Sequence, residues 1–108
     1  MLKCANAALD KKADELVIMD MRGISSFTDY FIICSGRSDR QVQGIADSVG
    51  MEMKKAGIPP LGIEGFTEGK WVLLDYGDVV VHVFYAPIRE FYDLERLWAD
   101  APRIELES

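Results

Sequence analysis

Two carboxylates and one glycine-containing turn are the features of this sequence that suggest a chemical activity. Asp75 and Asp78 could hold Mg²⁺ for nucleotidyl transfer, and backbone amides at Ser35-Gly36 could cradle a phosphate at a helix N-terminus. The set is incomplete, because the further glycines and the lysine of a phosphate loop are missing and Asp20 stands alone on its strand. We therefore favour an ordinary strand-to-helix turn at Ser35-Gly36. A nucleotide-binding or nucleotidyl-transfer enzyme that uses this turn with Asp75 and Asp78 is the alternative function.

The single histidine and the two cysteines do not complete a catalytic set. His82 shares a predicted strand face with Asp75, but without a nucleophile beside it a strand histidine is more often a hydrogen-bonded structural residue. Cys4 and Cys34 are far apart and form no Cys-x-x-Cys pair, so free buried thiols are expected. No catalytic residue, metal site or cofactor is predicted.

A β-hairpin over residues 71–84 is predicted to position these side chains, because two runs rich in β-branched and aromatic residues flank a Tyr-Gly-Asp break. A turn centred one residue earlier would place Asp75 opposite Asp78, where like charges repel. We therefore centre the turn on Gly77 and Asp78. The cross-strand pairs that follow include Asp75 with Val80 and Trp71 with Phe84.

The pleat gives this hairpin two different faces. The predicted core face carries Val72, Leu74, Tyr76, Val79, Val81 and Val83. The opposite face mixes aromatic rings with a carboxylate and an imidazole: Trp71, Leu73, Asp75, Val80, His82 and Phe84. On that face Trp71 is either a half-buried strand aromatic or an interface anchor with a polar rim, and the pattern leaves both open. The rim would consist of Glu64, Lys70, Asp75 and Tyr76.

The remaining elements surround the hairpin. A first helix is predicted over residues 1–12, with Leu2 and Leu9 in its apolar stripe, and a second over 38–57, where Ser38 and Gln41 have the spacing of a capping box. A last helix is predicted over 86–98, with Phe91 in its apolar stripe, and strands over 16–21, 30–35 and briefly 61–65. The connector between the first two strands is too short for a crossover helix, so these strands are predicted to be antiparallel. Gly44 and Gly50 inside the second helix suggest that a neighbouring element approaches closely, and Arg89 with Asp93 is expected to form an exposed pair.

These elements predict an α/β single-domain sandwich, with flanking helices around a mixed sheet of about five strands. Residues 1–99 are assigned to the domain and residues 100–108 to an acidic C-terminal tail that is expected to fray.

Composition restricts the kinds of partner. The 108 residues are 49% hydrophobic, with a net charge of −6 and a pI of about 4.7. An acidic surface is poor at binding nucleic acid non-specifically and better suited to a basic protein. No signal peptide or apolar run of about 20 residues is visible, so a soluble cytoplasmic protein without membrane contact is predicted.

Several motifs occur together in a characteristic order. They are residues 25–36, 38–42, 45–47, 64–65, 71–84 and 89–98, which read SSFTDYFIICSG, SDRQV, IAD, EG, WVLLDYGDVVVHVF and REFYDLERLW. This set resembles the ribosomal silencing factor family, also called Iojap-like. The resemblance runs from the first helix to Trp98, and the tail beyond lies outside the motif pattern.

The resemblance implies a nucleotidyltransferase-like topology without the catalytic motif, and hence a protein that is not an enzyme. It implies a translation repressor that binds the large ribosomal subunit through protein L-fourteen. Such a repressor blocks joining of the small subunit and lowers translation in starvation or stationary phase. A homodimer of the free protein is left open. Carried over by position, the partner-binding residues are Trp71, Asp75 and Tyr76, with Glu64 and Lys70 beside them; His82 is not carried over.

Overall fold

The hairpin has the predicted register in the computed structural model, which describes residues 1–105. Strand β4 (Trp71–Asp75) pairs antiparallel with β5 (Val79–Tyr85), with Asp75 opposite Val80 and Trp71 opposite Phe84. The backbone N–H of Tyr76 donates to the carbonyl of Val79 at 2.9 Å, which places Gly77 and Asp78 at the centre of the turn. Gly77 takes a φ of +87°, the conformation that the first central residue of a type II′ turn requires.

Four further strands extend the sheet. They are β1 (Asp14–Asp20), β2 (Tyr30–Gly36), β3 (Gly62–Glu64) and β6 (Arg103–Ile104). The strand order is β3-β4-β5-β2-β1-β6, and all neighbours are antiparallel except the parallel pair β2 and β5. The predicted mixed α/β architecture is confirmed, as is the antiparallel pairing of β1 with β2. The sheet has six strands among the described residues rather than about five, because β6 adds to the outer edge of β1.

Two helices cover one face of the sheet and enclose the main core. Helix α1 spans Leu2–Asp10 and α2 spans Asp39–Lys55. The predicted start of α2 is confirmed, since Ser38 Oγ accepts a hydrogen bond from the Gln41 backbone N–H at 3.1 Å. The apolar side chains of α2 that enter the core are Val42, Ile45, Ala46, Val49 and Met53. From the hairpin, the core receives all six residues of the predicted core face.

Small side chains of α1 face this core, and two leucines do not. Cys4, Ala5 and Ala8 are fully buried, while Leu2 and Leu9 are exposed, although the apolar spacing placed them on the packing face. Since α1 lies directly on α2, with Ser48 Oγ donating to the Ala7 carbonyl at 2.9 Å, its contact side accommodates small residues.

The opposite face carries a smaller core under two short helices. Helix α3 (Ala86–Tyr92) and α4 (Leu94–Leu97) replace the single predicted helix, because Asp93 adopts a left-handed conformation with a φ of +47° and interrupts it. The buried residues of this second core are Met19, Met21, Ile33, Phe84 and Ala101, and Trp71, Phe31, Ile88, Leu94 and Trp98 pack around them.

Arg89 is buried, so the expected exposed pair with Asp93 is wrong. Its guanidinium donates to Glu95 Oε1 at 2.9 Å, to Ser35 Oγ at 3.3 Å and to the Asp14 carbonyl at 3.4 Å. Since Glu95 belongs to α4 and Arg89 to α3, this ion pair joins the two helices across the break at Asp93.

Two further expectations fail. A Cβ at Gly44 or Gly50 would meet no other part of the described fold within 4 Å, so no neighbour of this chain approaches these glycines closely. The expected fraying is not seen at residues 101–104, because Ala101 is buried and Arg103–Ile104 pairs with β1. Residues 106–108 of the predicted tail lie outside the described residues. The division of the chain after residue 99 stays a prediction.

Candidate partner-binding site

Trp71, the first residue of β4, is half-buried and held from several sides. Its ring stacks on Phe84 at a centroid distance of 4.8 Å and lies 4.9 Å from the ring of Tyr92. Its indole Nε1 donates to Nδ1 of His82 at 3.2 Å. The indole therefore has a fixed orientation while part of its surface stays open. This geometry combines the two interpretations of Trp71, since the ring that covers the second core is also a rigid aromatic at the surface.

His82 is a structural residue of this cluster. Because an indole N–H can only donate, Nδ1 of His82 accepts, and the proton of the neutral ring is on Nε2. His82 is 4% exposed, and its Nε2 has no hydrogen-bond partner among the described residues. Burial lowers the pKa of His82 to about 4, so the ring is neutral near pH 7. The prediction of a hydrogen-bonded strand histidine is confirmed.

Asp75 does not form an acid–base pair with this histidine. Its Oδ1 accepts a hydrogen bond from the Gly77 backbone N–H at 2.8 Å, the geometry of an Asx turn that supports the hairpin corner. The other carboxylate oxygen is not engaged by another side chain of the described residues. Asp75 thus shapes the turn and still presents negative charge beside it.

Two aromatic residues that sequence reasoning did not assign to the site extend it onto α3. Tyr92 packs on Trp71 and is half exposed, and Phe91 meets Tyr92 edge-on at 5.1 Å with 79% of its surface exposed. Phe91 was predicted in the buried stripe of the last helix, and that prediction is wrong. The four rings of Phe84, Trp71, Tyr92 and Phe91 form a row from the second core to the surface.

The five predicted contact residues do not lie on one surface. Glu64 pairs with Leu73 in the sheet, so it projects from the same face as Trp71 and Asp75. Tyr76 is 7% exposed and belongs to the main core on the opposite face, as the hairpin register predicted. Lys70 lies near that opposite face, with its ammonium 4.9 Å from the ring centroid of Tyr85. A contact role for these five residues stays a prediction.

The residues of the enzymatic alternative are far apart. Ser35 lies beside Phe84 and Asp75 beside Val80, so about 13 Å of strand separates Ser35 from the carboxylate. The Ser35 hydroxyl is buried and already bonded to Asp14 and Arg89. The geometry therefore does not assemble a phosphate turn with paired carboxylates.

Metal-binding and redox roles find no support in the described part of the chain. Among residues 1–105, no three side chains of His, Cys, Asp or Glu come together as metal ligands would. Cys4 and Cys34 are free and buried, as predicted, and burial raises the pKa of the Cys34 thiol to about 12. A thiol with so high a pKa is a weak nucleophile at neutral pH.

Comparison with known proteins identifies the family. A family model described as "Ribosomal silencing factor during starvation" matches residues 1–108. This chain belongs to the ribosomal silencing factor family. The match continues past Trp98, where the motif resemblance ended. The resemblance inferred from the motifs is thus confirmed.

Individual relatives agree with this family. A protein of Bacillus subtilis (strain 168) named Ribosomal silencing factor RsfS is 50% identical over 108 residues, covering 99% of this chain and 92% of that protein. A crystal structure of a Bacillus halodurans protein superposes with a TM-score of 0.88 at 45% identity, covering 97% of this chain and 95% of that one. A mouse protein named Mitochondrial assembly of ribosomal large subunit protein 1 is 30% identical over 91 residues, covering 82% of this chain and 40% of that protein.

Family membership supports a ribosome-associated silencing role, and the family is named for silencing rather than for an enzymatic activity. No helix within residues 1–105 is both long and apolar enough to cross a membrane.

Proposed function

We propose that this protein is a non-enzymatic, cytoplasmic translation repressor. It binds the large ribosomal subunit through protein L-fourteen and keeps the small subunit from joining, which lowers translation in starvation or stationary phase. Family membership supports the silencing role, and the name of the mouse relative points to the large subunit. Binding needs no cofactor and little direct contact with nucleic acid.

The observation that carries the proposal is the fixed, half-open indole of Trp71. Aromatic side chains that are already ordered in the free protein bind at a low cost in conformational entropy, and tryptophan is enriched among residues that dominate interface energies. Phe84, Tyr92 and His82 provide this order here. The adjoining exposed rings enlarge the apolar part of the surface.

Charge supports the same assignment. The chain carries a net charge of −6, and Asp75 and Glu64 project from the face of Trp71. A negative rim around an aromatic centre complements a basic ribosomal protein and accelerates encounter. Association should therefore weaken as salt is added.

The direct test is whether the protein prevents purified subunits from forming whole ribosomes. We expect gradient sedimentation to show fewer whole ribosomes as protein is added, with the protein migrating with large subunits. If whole ribosomes form normally at protein concentrations that saturate the large subunit, the blocking mechanism is refuted. If the protein does not co-sediment with large subunits at all, the proposed function as a whole is refuted.

The site is tested by Trp71→Ala, with Trp98→Ala as the matched control. Both indoles are half-buried around the second core, but only Trp71 also donates a hydrogen bond to His82, so the folding of both variants is compared before binding is measured. We expect Trp71→Ala to weaken large-subunit binding by about 2 kcal/mol or more and the control to bind within a few-fold of wild type. Equal binding by a folded Trp71→Ala protein would contradict the assignment of this residue.

Charge reversal at exposed residues provides a second test. Glu64 is exposed on β3, and Asp10 is exposed at the end of α1 on the other side of the sheet. Glu64→Lys and Asp10→Lys change the net charge equally. We expect only Glu64→Lys to slow association at low salt, and equal effects of the two variants would show that net charge alone matters.

A further inference from the structure

The predicted contact residues lie on two faces of the sheet that meet at one edge. Strand β3 pairs with β4 on one side and has no neighbouring strand on the other within the described residues. Ile63 pairs with Leu74 and projects toward the face of Tyr76, while Glu64 projects toward the face of Trp71. An occupant that lies along β3 is therefore placed to reach residues of both faces.

The outer edge of β3 adjoins an apolar groove under the C-terminal half of α2. The groove has a volume of about 490 Å³, and its lining includes Gly50, Lys54, Ile58, Pro59, Ile63 and Tyr76. Ile63 is 46% exposed, and the buried hydroxyl of Tyr76 has no hydrogen-bond partner among the described residues. The groove continues along α2 toward Phe66. This is mostly apolar surface with a few polar groups, which is typical of a binding groove.

Gly50 keeps this groove open. A glycine inside a helix costs about 1 kcal/mol relative to alanine, and no contact within the described fold requires its small size, since a Cβ at residue 50 would meet nothing within 4 Å. A larger side chain at this position would project into the space between α2 and Ile63. No contact within the described fold accounts for the missing side chain at residue 50, and its absence leaves the groove open to an occupant.

The carboxylates beyond the apolar groove favour a basic occupant. Asp47 lines its continuation, Glu64 follows Ile63 on β3, and Glu68 lies in the turn after Phe66. Lys54, on the same face of α2 as Asp47, is a cation that lines both the groove and its continuation. A segment that alternates apolar and basic side chains would place the former in the groove and the latter near the carboxylates.

We propose that an extended segment of a basic large-subunit protein adds to the outer edge of β3. Backbone hydrogen bonds to the free edge hold the segment, and an apolar side chain enters the groove beside Gly50, as in other cases of strand addition. The next side chain along the segment projects to the face of Glu64. This inference rests on the proposed function and specifies how the partner engages the site.

Gly50→Leu tests the groove, with Gly44→Leu as the matched control. Both substitutions replace a helical glycine with open space around it, so both should preserve or raise the melting temperature. Gly44 lines a separate groove with Lys11 and Ser48. We expect Gly50→Leu to weaken binding to purified large subunits at least about tenfold, and Gly44→Leu to bind within about twofold of wild type.

Hydrogen exchange tests the edge itself. In complex with purified large subunits, a peptide that covers residues 61–66 should exchange at least about tenfold more slowly than in the free protein, because strand addition protects the outward backbone N–H groups. Protection that appears in the free protein as its concentration rises would assign the edge to a second copy of this chain and overturn the proposal.

The outcomes separate this inference from the proposed function. If wild type binds large subunits and Trp71→Ala does not, but Gly50→Leu binds normally and residues 61–66 remain unprotected, the edge proposal alone is overturned. Should Gly50→Leu fail to fold, unchanged exchange at residues 61–66 in the wild-type complex is sufficient to overturn it. If wild type does not bind large subunits, both proposals fail.

Discussion

Gly65 lies very close to the backbone of Trp71, and its replacement by alanine should lower the stability of the fold far more than the size of a methyl group suggests. Gly65 follows β3 and has a φ of +78°, and a Cβ there would lie 2.1 Å from the carbonyl oxygen of Trp71. Ordinary contact begins near 3.4 Å, so the two segments would have to separate by more than about 1 Å. The separation would move the backbone that carries the indole.

Gly57 provides a control with nearly the same backbone conformation. Its φ is +76°, and a Cβ there would meet nothing within 4 Å. The left-handed conformation costs alanine about 1 kcal/mol at both positions, and the forced separation adds roughly 1–3 kcal/mol at Gly65 alone. We therefore expect a loss of about 1 kcal/mol for Gly57→Ala and about 3 kcal/mol for Gly65→Ala in the free energy of unfolding.

Urea unfolding at 25 °C measures both values under the same conditions. The midpoint of Gly65→Ala should fall well below that of Gly57→Ala, with unchanged slopes. If the two free energies agree within about 0.5 kcal/mol, the close approach of Gly65 to the Trp71 carbonyl does not constrain the fold, and the reasoning is refuted.

Two further predictions concern buried charge. Arg89→Ala should lower the free energy of unfolding by about 3 kcal/mol, because the partly buried Glu95 loses its partner. Arg37→Ala, which removes the exposed pair with Asp14, should lower it by less than about 1 kcal/mol. Similar losses for the two variants in urea unfolding would contradict this difference. Burial lowers the pKa of His82 to about 4 in the folded state, so the unfolded chain binds the proton first as the pH falls below about 6.5. The stability contributed by the neutral ring is complete above pH 6.5 and decreases by about 3 kcal/mol toward pH 4. This part of the pH dependence should be absent in His82→Gln. If the stability of the variant has the same pH dependence as that of wild type, the assignment to His82 is refuted.

The parts of the fold that were predictable from the sequence are those specified by neighbouring residues. The like-charge argument for Asp75 and Asp78 predicted the hairpin register, and the spacing of Ser38 and Gln41 predicted the start of α2. Each depends on residues a few positions apart. The parallel neighbours β2 and β5 and the edge strand β6 depend on contacts between distant segments, which local patterns do not contain.

The site was predictable to a similar extent. Trp71 and Asp75 were placed on one face because strand alternation is a local rule, and that placement is observed. Phe91 was misassigned because an uninterrupted helix places it in the apolar stripe, and the left-handed conformation of Asp93 has no clear signal in the sequence. Aspartate adopts this conformation more often than most non-glycine residues, but a single Asp inside a helical pattern does not predict a break.

The helix break at Asp93 also explains how a structural ion pair contributes to the candidate site. The break ends α3 at Tyr92, whose ring packs on Trp71. Arg89 accepts the Asp93 backbone N–H at its carbonyl, 2.8 Å away, and its guanidinium binds Glu95 beyond the break. The same arginine reaches Ser35 at the end of β2, so it ties both short helices to the sheet. The buried network and the surface row of rings therefore belong to one local structure, in which the ion pair spans the helix break next to Tyr92 and the ring of Tyr92 packs on Trp71.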